Sequence, residues 1–205
     1  MNPSLIPKLL TQLSSFSASA AVANPYSSPA CLTNIRVYLD ELCALPFSGH
    51  LVVGDAPGHK GCALTGIPFT SQRVLVSSAH PFIAALRPRL AGAGWVTEST
   101  ATIVWTHLLS CAAVPAFWNA FPFHPHERAN RRSTRHPTRA EVASGYVFLD
   151  LVIRILRPQT VVAVGGTATK ALTFSFPTLS VVPVPHPSFG NKAAFISGIK
   201  AAGIE

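Results

Sequence analysis

Asp55, Phe69, Asn119 and His186 are the side chains of this sequence whose types together suit the cleavage of a bond to a flat polar base. They are carried mainly by two short segments far apart in the chain. The first runs from Gly54 to Thr70, with Gly54-Asp55-Ala56-Pro57-Gly58 at its head and Gly66-Ile67-Pro68-Phe69-Thr70 at its tail. The second is His186-Pro187-Ser188-Phe189-Gly190-Asn191. Each follows an apolar run that reads as a buried strand. Ligand sites form where such strands end in an open α/β sheet.

Each residue has a functional and a structural reading. A carboxylate at a strand tip, as at Asp55, can orient water or stabilise a cationic sugar; it can equally cap a helix or hold a turn. Phe69 offers a stacking face for a base, or it plugs the core. Asn119 lies in the nearly apolar run Ala116-Phe117-Trp118-Asn119-Ala120-Phe121. Its amide carries one acceptor and two donors, which match the N3–H and O4 edge of uracil, or which satisfy nearby backbone. His186 stands between Pro185 and Pro187, whose rings restrict the backbone. A neutral imidazole there suits donation to an anion developing on a leaving base. Ser188, Phe189 and Asn191 suit a phosphate contact or a wedge in a base step, unless they form only a surface turn. The segment from His124 to Arg139 holds Arg128, Arg131, Arg132, Arg135 and Arg139, with Glu127 as its single acid. That pattern fits a phosphate-contacting loop more closely than a merely solvated one.

The elements that must position these groups alternate between strand and helix. Residues 1–30 read as a peripheral helix and a mobile Ser/Pro-rich connection. Ile35, Tyr38, Leu39 and Leu42 have helical spacing, and Leu51 to Val53 is a strand. Residues 72–90 look helical with a break at Pro81. Thr102 to Trp105 and Ala116 to Phe121 both read as strand-like. The helix signal is clearest from Thr138 to Leu156, where Thr138 and Glu141 form a capping-box pair. Thr160 to Val164 and Leu179 to Val184 are further strands, and a short helix covers Lys192 to Ala202. Unbroken apolar strands separated by helices predict a single α/β domain over 1–205 with a parallel sheet covered on both faces.

Composition narrows the function classes. The chain has 205 residues, 48% hydrophobic and only 12% charged, with a net charge of +8. That excludes general disorder and points to a nucleic-acid partner. Cys31, Cys43, Cys62 and Cys111 lack zinc-site spacing and read as reduced, mostly buried thiols. No metal site and no membrane span is expected.

Four of these motifs, in this order, resemble the uracil-DNA glycosylase superfamily. Gly54 to Thr70 is similar to the microbial branches with a Gly-x-Ala-Pro signature. Ala116 to Pro122 is similar to the strand that carries the uracil-reading asparagine. Arg157 to Leu172 and His186-Pro187-Ser188 match later family motifs, so the resemblance spans roughly residues 35–200. It implies a three-layer α/β/α fold with a central, mostly parallel four-stranded sheet. It also implies catalytic roles for Asp55 and His186, base contacts from Gly54, Ala56, Phe69 and Asn119, and DNA contacts from Arg128, Arg131, Arg132, Arg135, Ser188, Phe189 and Asn191.

The sequence departs from the family at several positions. The cysteines do not fall on iron–sulfur ligand positions, and Gly145 stands where that branch has a cysteine, so no cluster or other cofactor is expected. Ala56 replaces the catalytic aspartate of the classical branch, and Gly58 replaces its thymine-excluding tyrosine. Gln72 replaces an aspartate of another branch. One branch with a basic loop bonds covalently to its product through a loop histidine, and His136 lies in a comparable region. The implied activity is hydrolysis of deoxyuridine in DNA to free uracil and an abasic site, by a cytoplasmic, nucleoid-associated monomer. The alternatives are a glycosylase for hypoxanthine or xanthine, and a catalytically weak protein that holds uracil-containing or abasic DNA.

Overall fold

The computed structural model describes all residues except Pro46, Ala93, Ala112 and Phe189. Four strands make the central sheet: β2 (Phe47–Gly54), β3 (Val114–Asn119), β5 (Thr160–Val164) and β6 (Val181–Val184). Their order is β3-β2-β5-β6 and every pair is parallel. Leu51 to Val53, all of β3 and Val161 to Val164 are buried, as expected for strands covered on both faces.

The helices form two outer layers. Moving from β2 to β3 and from β3 to β5 runs in opposite directions along the sheet. Right-handed crossovers therefore place the intervening helices on opposite faces. α6 (Ser99–Leu108) and α9 (Lys192–Ala201) lie against Val52 and Phe117. α7 (Arg139–Leu156) and α8 (Gly166–Ser175) pack on each other and, respectively, on β3 and β5. α2 (Pro29–Ala44) joins the α6 layer, where Tyr38 on α2 meets Phe82, which stacks near Trp105. Phe82 belongs to α5 (Pro81–Leu86), preceded by the short α3 (Cys62–Thr65) and α4 (Gln72–Ser77).

α7 forms for the reason its sequence states. Thr138 accepts the Glu141 N–H and Glu141 reaches back to the Thr138 N–H. The helix ends at Arg157, which adopts a left-handed conformation with φ 49°. Gly145 on this helix packs directly on the Ala120 carbonyl, leaving no room for a side chain.

Two expectations differ from the structure. Thr102 to Trp105 is not a strand; it lies in α6. The β-branched residues favour extended chain, yet Glu98 accepts from the Thr100 and Ala101 N–H groups at 2.9 and 2.6 Å and starts a helix. Ala101, Val104, Trp105 and Leu108 then fall on one buried face, which is helical spacing. The amino-terminal segment is not peripheral either. Leu9 and Leu13 of α1 (Ile6–Ser15) are fully buried, as is Tyr26. β1 (Val22–Ala23) pairs antiparallel with β4 (His124–Pro125). Phe16 stacks on Phe123 with centroids 3.6 Å apart. This segment braces the point where the chain leaves β3 and enters the arginine-rich loop.

Candidate active site

The carboxyl edge of the sheet gathers the four candidate side chains. Gly54 and Asn119 end β2 and β3 and are partners in register. The chain beyond them stays zipped: Ala120 N–H donates to Gly54 O at 2.8 Å and Phe121 N–H to Asp55 O at 3.0 Å. Asn119 is 5% exposed, and among the described residues no hydrogen bond takes up its side-chain amide. A buried amide normally has a partner, and among the described residues this one keeps its hydrogen-bonding capacity unused.

Phe69 reaches the same point from the other end of the first motif. A Cβ on Gly54 would lie 2.8 Å from Phe69 Cζ and 3.1 Å from Asn119 Oδ1. Only a glycine lets the ring and the amide approach across this strand tip. The Phe69 backbone sits at φ 56°, in the left-handed region, which costs a non-glycine residue about 1–2 kcal/mol. Its surroundings impose that conformation. Trp105 Nε1–H donates to Phe69 O at 3.0 Å. Thr65 and Thr70 hydroxyls meet at 2.8 Å, and Thr70 also donates to Ile67 O at 2.8 Å. Phe117, two residues before Asn119, sits 5.1 Å from the Phe69 ring.

Asp55 leans toward β5. Its Oδ1 accepts the Ala168 N–H of the first turn of α8 at 2.9 Å, where the helix dipole favours negative charge. Its Oδ2 lies 3.3 Å from His136 Nδ1. The structural reading of Asp55, a carboxylate bound at a helix start, is thus realised at the first turn of α8. His136 itself is 87% exposed while the Asp55 side chain is 18% exposed, so the loop histidine covers the carboxylate from outside.

His186 follows β6 on the far side of Gly165. A Cβ on Gly165, which has φ 90°, would lie 3.5 Å from Asp55 Oδ1 and 3.7 Å from His186 Cβ. His186 Nδ1 accepts the Ser188 N–H at 3.3 Å. That contact places the remaining ring proton on Nε2, leaving a donor. Burial pushes the imidazole below its ordinary pKa, against the opposing pull of Asp55 and Glu98, so the neutral form prevails near pH 7. Ala56 is half-buried beside Asp55, Ser188 is half-buried and Asn191 is exposed ahead of α9. Phe189 lies outside the described residues.

The arginine-rich loop is tied to this edge by histidines. His124 spans Pro57 O at 2.8 Å and Arg131 O at 3.1 Å, and His59 Nδ1 meets Thr134 Oγ1 at 3.0 Å. Arg128, Arg131 and Arg132 are exposed. Arg135 differs from the expectation of a phosphate contact. Its guanidinium donates to Glu141 at 2.8 and 2.6 Å and to the carbonyls of His126, His136 and Ala21. All five of its N–H donors are thereby used, and it acts as the internal brace of the loop.

Sequence reading missed Glu98, whose Cγ would stand 3.3 Å from a Cβ on Gly61; it joins the α6 layer to the first motif. Its N-cap position before a helical period was the available signal. Among the described residues, no three His, Cys, Asp or Glu side chains are grouped to hold a metal ion. No described helix is long and apolar enough to cross a membrane.

The whole architecture is similar to the crystal structure of wild-type SMUG2 from Pedobacter heparinus, with a TM-score of 0.69, 16% identity, and 97% of this chain and 96% of that one covered. No curated protein matches the chain. The family model for the uracil DNA glycosylase superfamily matches residues 42–198, which span β2 and all four candidate side chains. The chain therefore belongs to the uracil DNA glycosylase superfamily, and with it to the hydrolases that cleave glycosidic bonds in DNA.

Proposed function

We propose that the protein is a monofunctional uracil-DNA glycosylase. The observation that carries this reading is the meeting of the Phe69 ring and the uncommitted Asn119 amide across Gly54. A flat base slides onto the ring, and the amide meets its edge with a donor and an acceptor. Deoxyuridine reaches this pocket by rotating out of the stack, at a cost of a few kcal/mol. Arg128, Arg131 and Arg132 hold phosphates of the same DNA, with Ser188 and Asn191 as further backbone contacts.

The bond between C1′ and N1 breaks with its electron pair leaving on the base. His186 Nε2–H donates to the base oxygen on which that negative charge collects. Asp55, fixed by α8, stabilises the positive charge on the sugar and aligns a water. The water oxygen bonds to C1′ and releases its proton, while the departing base takes one from solvent. The products are free uracil and an abasic site. Gly54 and Ala56 contribute backbone at the base, and none of these steps uses a cofactor.

A second reading has its own support. Asp55 Oδ1 is held by Ala168 and Oδ2 faces His136, so His136 competes with water for this carboxylate. A protein whose His136 stayed in place would hold uracil-containing or abasic DNA with little turnover. Incubation with end-labelled DNA containing one uracil, followed by alkali and by assay of free base, separates the two. Uracil release with matching alkali-labile sites supports the glycosylase. DNA that is bound but left intact supports the holding protein. Release from hypoxanthine or xanthine substrates alone would change the base and keep the chemistry.

A further inference from the structure

The rim of the pocket on the α6 side carries an exposed tryptophan that the proposed chemistry does not use. Trp95 is 62% exposed, whereas Trp105 and Trp118 are buried. An indole is a large apolar surface, and its exposure commonly marks a contact with a partner. Slack in the chain does not account for it, since the loop before α6 is anchored at both ends. The buried Asn34 amide clamps Ala91, donating to its carbonyl at 3.0 Å and accepting its N–H at 2.7 Å. Arg73 N–H donates to Val96 O at 3.1 Å, and Val96 N–H donates to Gln72 Oε1 at 3.2 Å. Trp95 is thus held out on a braced loop.

Its position follows from the topology. α6 leads into β3 and runs against it, so its first residues lie at the carboxyl edge of the sheet. Glu98, three residues after Trp95, touches the first motif at Gly61. The arginine-rich loop precedes α7 and belongs to the opposite face. Trp95 and the exposed arginines therefore flank the pocket from its two sides. Arg73, exposed and bonded through its N–H to Val96 O beside Trp95, gives this second side positive charge as well.

We propose that Trp95 is a second DNA-contacting lip, stacking on a base next to the nucleotide that enters the pocket. An aromatic face receives any base, because every base has a π-face, and loss of one such contact weakens binding markedly. The positive charge of Arg73 holds the adjoining backbone. The inference rests on the glycosylase reading of this edge.

The test uses the full chain, with Trp95→Ala and Trp95→Phe, and a duplex carrying a non-cleavable tetrahydrofuran abasic analogue. Trp95 is the exposed tryptophan, so DNA should quench the emission of wild type in a saturable way and leave that of Trp95→Phe nearly unchanged. Trp95→Ala should raise the Kd about tenfold, which is about 1.4 kcal/mol, and Trp95→Phe should recover most of the affinity. Equal quenching in wild type and Trp95→Phe, or an unchanged Kd in Trp95→Ala, overturns the lip. A uracil-release assay on wild type is run beside it. Release without a Trp95 effect sinks the lip alone. A Trp95 effect without release leaves the lip standing and sinks the glycosylase.

Discussion

Two loops, one leaving β2 and the other reached from the adjacent β3 through β4, are built in opposite ways. The loop after β2 turns its side chains inward. Its glycines admit a ring and an amide, its threonines bond to one another, and Trp105 fixes Phe69 in a conformation it would not adopt alone. The loop after β4 turns its side chains outward. Histidines and Arg135 tie its backbone down, and Arg128, Arg131 and Arg132 are left in solvent. The contrast suits the two tasks of the proposed function. Bond breaking needs groups held to fractions of an ångström, whereas phosphate binding needs charge near a backbone that has many equivalent positions.

The sharpest break of that contrast is His186→Ala. Loss of a donor aimed at a developing anion should lower the single-turnover rate about 10²-fold, with the Kd for DNA little changed. A fall in affinity with an intact rate would move His186 out of the inward set. Glu141→Ala attacks the brace of the outward loop. It strips Arg135 of its two shortest partners and removes half of the capping box of α7. Urea unfolding should show a loss of about 2 kcal/mol.

That loss carries its own pH signature. Hydrogen bonding from Arg135 holds the Glu141 carboxyl below its ordinary pKa, with burial opposing. A carboxylate with a depressed folded pKa stabilises fully above its unfolded value of about 4.3. The gap between wild type and Glu141→Ala should therefore be constant near neutrality and shrink as pH falls below that value. A gap that widens in acid would contradict the assignment.

Arg131→Ala and Arg132→Ala should act on affinity. Each should raise the Kd a few-fold at moderate salt and reduce the slope of log K against log salt by about one. A loss of single-turnover rate larger than the loss of affinity would place these side chains in the chemistry and erase the contrast. The smallest effect concerns pH and rate. Because burial lowers the His186 pKa, the acid limb due to this ring should fall below about 6.5, the ordinary histidine value. Protonation there adds a hydrogen to Nδ1 and ends its bond from Ser188. An acid limb at or above that value, abolished in His186→Ala, would show that the ring is not held neutral.

Much of the inward loop was legible in the sequence. Strand runs such as Leu51 to Val53 and Thr160 to Val164 announce a buried parallel sheet, and the residues just beyond them fall at its edge whatever the packing. The capping box at Thr138 is local and equally plain. Contacts between distant segments were not legible. Asp55 meets Ala168 and His136 only because β2, α8 and the arginine-rich loop converge. Arg135 looked like its neighbours because nothing local marks which arginine turns back onto Glu141. The run Thr102 to Trp105 misled through its β-branched residues, since the cap that makes it helical lies upstream at Glu98. Trp95 gave no signal at all, because exposure is a property of the packed chain.

The most direct test of the inward loop as a base-reading site is the single-turnover rate on DNA with one uracil, for wild type and Asn119→Ala at saturating enzyme. The predicted result is cleavage by wild type and a loss of about 10²-fold or more in the variant, with DNA affinity nearly retained. Equal rates in the two proteins would contradict the assignment of Asn119, and with it the pocket built around Gly54.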